Sequence, residues 1–213
     1  MRGKRSRLTL VGMLVLALGV TAGLTVGSAD AKKTKKTKVF NETKTVNLPI
    51  PDASSAPSTR STPVEVQFNL GKKFKGKVVG DVNLTFQTTG SAAGAASDLS
   101  TYLIAPNRRT GIPFENIGFN LASIGPLTLD DDTSTELCDT LTPPCADPLK
   151  TLNYPWAGTA NTLDQDDDMT PFTIFNGVPM KGTWTFGIFD ESNGLTSTLN
   201  KVGIQVTAAK PVS

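Results

Sequence analysis

Alternating apolar side chains restrict the fold of this sequence more than any other feature. Every second residue is apolar in four stretches, residues 64–70, 82–86, 184–188 and 202–206. Residues two apart in a strand face the same side, so this pattern is typical of β-strands with one buried and one solvated face. After residue 31, no stretch of about twelve residues repeats apolar side chains at helical spacing. The sequence therefore predicts an all-β fold, a single antiparallel β-sandwich.

Turn residues separate these stretches. Residues 49–63 are rich in serine and proline, residues 90–94 are small, and Asn176-Gly177 is a turn dipeptide. The segment from about residue 130 to residue 170 has little periodicity, and we predict one long loop there. The short apolar run at residues 172–175 is predicted as a further strand.

The first 31 residues have the three parts of a secretory signal peptide: basic residues at 2–7, an uncharged apolar run at 8–26, and the small-x-small site Ala29-Asp30-Ala31. We predict cleavage after Ala31 and a secreted, extracellular protein. Residues 32–44 are then a basic Lys/Thr-rich spacer, residues 45–207 the folded domain and residues 208–213 a tail. The alternative is an uncleaved membrane anchor, because such a run is nearly long enough to span a bilayer. Both readings place the folded part outside the cytoplasm.

Histidine content and charge exclude several classes of function. The chain has no histidine, which removes Ser-His and Cys-His nucleophile activation and the commonest zinc ligand. Residues 39–213 carry 12 basic and 18 acidic side chains, and an acidic body argues against nucleic acid as a partner. Paired carboxylates could still hydrolyse glycosides, but no local pattern distinguishes an acid from a base. We therefore predict that the chain is not an enzyme.

The two cysteines, Cys138 and Cys145, are separated by six residues, which include Pro143-Pro144. This spacing excludes a CxxC redox pair, and a metal site would need ligands from elsewhere. We predict a local disulfide that staples the long loop, in agreement with an oxidising compartment.

Several motifs in order resemble the P domain, also called Homo B, that accompanies the catalytic domain of subtilisin-like proprotein convertases. The resemblance covers residues 45–207. It begins with Ile50-Pro51-Asp52 and the stretch 64–70, and its most specific part is Gly182-Thr183-Trp184-Thr185-Phe186-Gly187-Ile188-Phe189-Asp190. The other matching segments are residues 80–86, 98–106, 129–132, 175–177, 197–199 and 202–206.

This resemblance implies a jelly-roll β-sandwich that stabilises or regulates an attached protease. The sequence departs from the family pattern at Ser197, where glycine is usual, and at Val202, where tryptophan is usual. A catalytic domain would need more than one further domain's length. Serine endopeptidase activity would therefore belong to a neighbouring or separate protein.

Clustered aspartates are the candidate metal ligands. Calcium takes six to eight oxygen ligands, often from aspartates on loops. We predict a calcium site formed by Asp98, Asp131, Asp132 and Asp190, all at predicted strand ends. Asp164, Asp166 and Asp168 form a second, weaker cluster, which is not an EF-hand because Met169 and Phe175 occupy its glycine and glutamate positions. The alternative is that both clusters are solvated loops.

Tyr154 and Trp156, beside Pro155 in the long loop, are candidate partner-binding residues; the alternative is that they pack within the loop. We predict an exported interaction module, binding a protease in trans or another protein and stabilised by calcium. The alternative function is a carbohydrate- or cell-surface-binding module. Contact with a membrane is expected only if the N-terminal apolar segment is not cleaved.

Overall fold

The computed structural model describes residues 36–55, 58–115, 121–133, 156–160 and 170–210. These residues form β-strands, turns and two short 3-10 helices. No helix in these ranges is long and apolar enough to cross a membrane. The buried hydrophobic residues all lie within the compact unit Lys36–Ser213.

Nine of the strands belong to two sheets that pack face to face as a β-sandwich, as the sequence predicts. The strands of the two sheets are β1 Val39–Ile50, β4 Val64–Leu70, β5 Val79–Gly90, β6 Leu99–Ile104, β7 Thr110–Glu115, β8 Ile124–Asp130, β9 Trp156–Ala160, β10 Gly182–Asp190 and β11 Ser197–Ala208. The first sheet has the order β1-β11-β5-β8-β9 and the second has the order β4-β10-β6-β7. A separate ribbon pairs β2 Ser54–Ser55 with β3 Ser58–Thr59.

The alternation in the sequence corresponds to alternation in burial. In β4, Val66, Phe68 and Leu70 are buried and the residues between them are exposed. The inward side chains of the two sheets meet in one core, because each sheet can bury an apolar face only against the other. Phe86 lies near its centre, with ring centroids 5.3 Å from Phe114 and 6.0 Å from Phe186.

Three elements differ from the predictions. β1 begins at Val39, so residues 39–44 lie in the sheet and not in the spacer; their pairing with β11 supplies the backbone partners that keep them extended. The predicted strand Phe172–Phe175 is a 3-10 helix. The predicted long loop contains β9, which pairs with β8 in parallel at the edge of an otherwise antiparallel sheet.

The direction of β5 defines the two ends of the sandwich. Asp81, near the start of β5, is paired with Thr207, whereas Gly90, at its end, is paired with Ser197. A strand rises about 3.4 Å per residue, so these two positions are about 30 Å apart. We call them the Asp81 end and the Gly90 end.

Candidate functional site

Asp98 and Asp190 lie together at the Gly90 end. Asp190 is the last residue of β10 and is paired with Leu99, the first residue of β6. The backbone N–H of Glu191 donates a hydrogen bond of 2.8 Å to the carbonyl of Asp98. The loop before β6 joins this end because the N–H of Ser91 bonds to the carbonyl of Thr196.

Asp190 is a buried carboxylate with one unsatisfied oxygen. Its exposed fraction is 0%. Oδ1 accepts a 2.8 Å hydrogen bond from the N–H of Ser192, whereas Oδ2 has no partner among the described residues. Burial, and then the charges of Asp52, Asp98 and Glu191, raise the pKa of Asp190 to about 6. Burial and the charge of Asp52 also raise the pKa of Asp98.

Asp131 and Asp132 lie at the Asp81 end, directly after β8. The N–H of Asp132 donates a 2.9 Å hydrogen bond to Oδ1 of Asp130. Oδ2 of Asp131 accepts a 2.8 Å bond from the N–H of Thr173 in the 3-10 helix. These bonds fix the turn that follows β8.

The structure therefore corrects the prediction of one site made from Asp98, Asp131, Asp132 and Asp190. Calcium–oxygen distances of 2.3–2.6 Å require that the ligand oxygens of one ion lie within about 5 Å of one another. The two pairs lie at opposite ends of β5, about 30 Å apart along the strand. One ion cannot bind both pairs.

A carboxylate cluster does form at the Asp81 end. One carboxylate oxygen from each of Asp81, Asp130 and Asp132 lies within 4.8 Å of the others. Strand register explains the meeting: Asn83 is paired with Asp130, so in an antiparallel pair Asp81 faces the position of Asp132 just beyond β8. Sequence reasoning missed Asp81 because it reads as an isolated polar residue in a strand, and its register with β8 was unknown.

The electrostatics of the cluster favour a cation. Burial, followed by the charges of Asp130 and Asp132, raises the pKa of Asp81. The three carboxylates repel one another, and a bound cation would remove that repulsion. Asp81 and Asp132 line a pocket of about 60 Å³, which is large enough for an ion and some of its waters. Its other lining residues are Gly80, Val82, Asp131, Phe172, Thr173 and Asn176.

The remaining predicted site residues lie outside the described part of the chain. These are the second aspartate cluster, both cysteines and Tyr154: Asp164, Asp166, Asp168, Cys138, Cys145 and Tyr154. The backbone of Trp156 begins β9, and the position of its side chain is not described. The disulfide and the aromatic partner site remain predictions.

No protein-family model and no curated protein sequence matches this chain. Among solved structures it is similar to the serine protease of Aeromonas sobria, with a TM-score of 0.46 and 13% identity over 85% of this chain and 28% of that one. It is also similar to a chain in the complex of Aeromonas sobria serine protease with the chaperone ORF2, with a TM-score of 0.42 and 12% identity over 80% of this chain and 27% of that one. The chain spans less than a third of the length of either.

Proposed function

We propose that this chain is an exported, non-catalytic β-sandwich module that binds calcium at Asp81, Asp130 and Asp132 and engages a protein partner. The observation that carries the calcium part is the meeting of three carboxylate oxygens within 4.8 Å. The partner part rests on the sequence resemblance to the P domain, which makes a protease acting in trans the first partner to test.

The donor set suits calcium. All three side chains offer carboxylate oxygens, which hard cations prefer, and calcium accepts irregular geometry and a mixture of carboxylates, carbonyls and waters. Three aspartates supply between three and six of the six to eight ligands that calcium takes, depending on whether each binds through one oxygen or two. The remaining positions would be filled by water in the open part of the pocket.

Calcium at this site would stabilise the fold through the pairing of β5 with β8. Asp81 lies near the start of β5, and Asp130 and Asp132 lie at and beyond the end of β8. A ligand that binds only the native state stabilises it by mass action, by about 2.7 kcal/mol when its concentration is 100 times its Kd. The same ion would hold the turn at residues 130–132, which contacts Thr173.

The test is a thermal melt of residues 32–213 with millimolar calcium and with a chelator. We expect calcium to raise the Tm of the wild type by several degrees. Asp81→Asn should abolish that rise, and Asp98→Asn, which removes one charge at the Gly90 end, should leave it intact. A calcium-induced rise that survives in Asp81→Asn would place the ion elsewhere, and no rise in the wild type would remove the calcium part of the proposal.

A further inference from the structure

Eight lysines converge at the Asp81 end, on the corner where the edge strands β1 and β4 adjoin. We call this surface the lysine corner; its members are Lys36, Lys38, Lys72, Lys73, Lys75, Lys77, Lys181 and Lys210. All of them are exposed except Lys77, which is half-buried. They come from four separate parts of the sequence, so the fold and not a single run of charge brings them together.

Hydrogen bonds place these segments side by side. Nζ of Lys38 donates a 2.7 Å bond to the carbonyl of Lys73. The N–H of Lys75 bonds to the carbonyl of Lys72, and the carbonyl of Lys77 accepts from Met180, the neighbour of Lys181. Two hydrogen bonds place Lys210 at the corner. The N–H of Ala209, the residue before it, bonds to the carbonyl of Val78, and the N–H of Ala208 bonds to the carbonyl of Lys38.

The charge of the lysine corner is not neutralised by the described residues. The salt bridges in these ranges involve only Lys44 and Arg60, and neither belongs to the corner. The acidic residues of the same end, Asp81 and Asp130 to Asp132, lie on β5 and at and beyond the end of β8, whereas the lysines surround β1, β4, β10 and β11. A concentrated positive surface on an acidic protein attracts anionic partners.

Two exposed valines distinguish this corner from a simple anion-binding patch. Val39 is 44% exposed and Val78 is 43% exposed, and they are two of the three large exposed hydrophobic residues in the described ranges. Each follows a lysine of the corner directly in the sequence. Apolar side chains ringed by lysines suit the interface of an anionic bilayer, where both the charges and the apolar groups are satisfied.

The chain also enters the folded unit at this corner. Lys36 is the first described residue, and Lys32, Lys33 and Lys35 precede it in the sequence, after the apolar run at residues 8–26. The basic segment that follows the apolar run is therefore continuous in sequence with the lysines of the fold.

We infer that the lysine corner docks the folded module onto an anionic phospholipid surface. This inference does not depend on the calcium site or on retention of the N-terminal segment. A lysine near such a surface contributes about 1 kcal/mol, which is about a fivefold factor in binding. Attraction of this kind weakens as salt rises, because the Debye length falls from about 10 Å at 0.1 M to about 3 Å at 1 M.

The experiment is vesicle cosedimentation of residues 36–213 in a chelator, so that neither the apolar run nor calcium contributes. We expect binding to vesicles that contain about a third phosphatidylglycerol, no binding to phosphatidylcholine alone, and loss of binding at high salt. The variant Lys75→Gln with Lys181→Gln should weaken binding about 25-fold. The matched control, Lys44→Gln with Lys201→Gln, removes the same charge outside the corner and should change binding less than about twofold.

Melts of both double variants check that each remains folded. Val78→Ser should weaken binding to the vesicles while leaving binding to soluble polyphosphate unchanged. Equal weakening by the two double variants would show a general charge effect and would overturn the inference. It would also fail if the wild type bound polyphosphate but not anionic vesicles, because the corner would then be a site for soluble anions.

Discussion

Asp190→Asn should stabilise the protein at neutral pH and have little effect at acid pH. The carboxylate is 0% exposed, and burial together with the charges of Asp52, Asp98 and Glu191 raises its pKa from 3.8 to about 6. Asparagine has the same shape and keeps an oxygen to accept the bond from the N–H of Ser192. It also supplies an N–H group where Oδ2 of the aspartate has no partner among the described residues.

The direction of the pH effect on stability follows from the number of protons that the folded and unfolded states bind. Because the folded pKa is higher than the unfolded one, the folded state holds a proton on Asp190 between about pH 4 and pH 6 that the unfolded state has released. The free energy of unfolding therefore falls as the pH rises through that window, and the full cost is present above pH 6. The rise in the pKa of Asp190 from 3.8 to about 6 corresponds to about 3 kcal/mol. Asparagine does not titrate, so it avoids this cost.

The assay is urea unfolding of the wild type and the variant in a chelator, at about pH 3, which is below both pKa values, and at about pH 7.5. We expect the variant to be more stable by roughly 2–3 kcal/mol at the higher pH and nearly equal to the wild type at the lower one. Glu42→Gln, at a half-buried position on β1 where the carboxylate forms a 3.5 Å salt bridge with Lys44, is the control and should change stability by less than about 1 kcal/mol at both pH values. A gain in stability of Asp190→Asn that is the same at both pH values, or a loss of stability at pH 7.5, would refute the reasoning.

Two further substitutions test the packing. Phe86→Ala, which empties a fully buried site between Phe114 and Phe186, should lower the free energy of unfolding by about 3–5 kcal/mol; a loss below about 1 kcal/mol in urea unfolding would contradict the core described here. Gly187→Ala should cost about 1–3 kcal/mol, because its methyl group would lie 2.1–2.5 Å from the ring of Tyr102. Gly71→Ala, where nothing lies within 4 Å, is the matched control, and equal stability of the two variants would show that the ring moves away freely.

The central strands could be predicted because each is buried mainly on one face, so that every second residue is apolar. In β10, Trp184, Phe186 and Ile188 all point into the core, as their spacing indicates. β1 was harder to delimit. Its pattern is broken by charged residues at positions 42 and 44, and its early part is held by pairing with β11 and by the contact of Phe40 with Phe74, whose ring centroids are 5.8 Å apart. These are long-range contacts that no local pattern records.

The error at residues 172–175 has a local cause. The run is apolar at both ends, and Phe172 and Phe175 are both buried. A separation of three residues is the repeat of a 3-10 helix, whereas a strand would place these two side chains on opposite faces. The N–H of Ile174 bonds to the carbonyl of Pro171, and the turn ends before Gly177, whose φ is +78°. Spacing was therefore a better guide here than composition.

The wrongly predicted metal site shows that the direction of the strands determines which strand ends, and so which carboxylates, lie side by side. Asp98 follows β5 by a short loop, so it belongs to the end of the sandwich where β5 finishes. Asp130 closes β8, and because β8 runs antiparallel to β5, its end lies beside the start of β5. A parallel pairing would have brought Asp130 to the Gly90 end. The sequence shows which strand ends carry carboxylates, but only the sheet topology determines which of them meet. Asp81 lies beside Asp130 and Asp132. At the other end, buried Asp190 lies near half-buried Asp98. The proposed cation at the Asp81 end and a proton on Asp190 below about pH 6 would therefore relieve carboxylate repulsion at separate ends of the same strand.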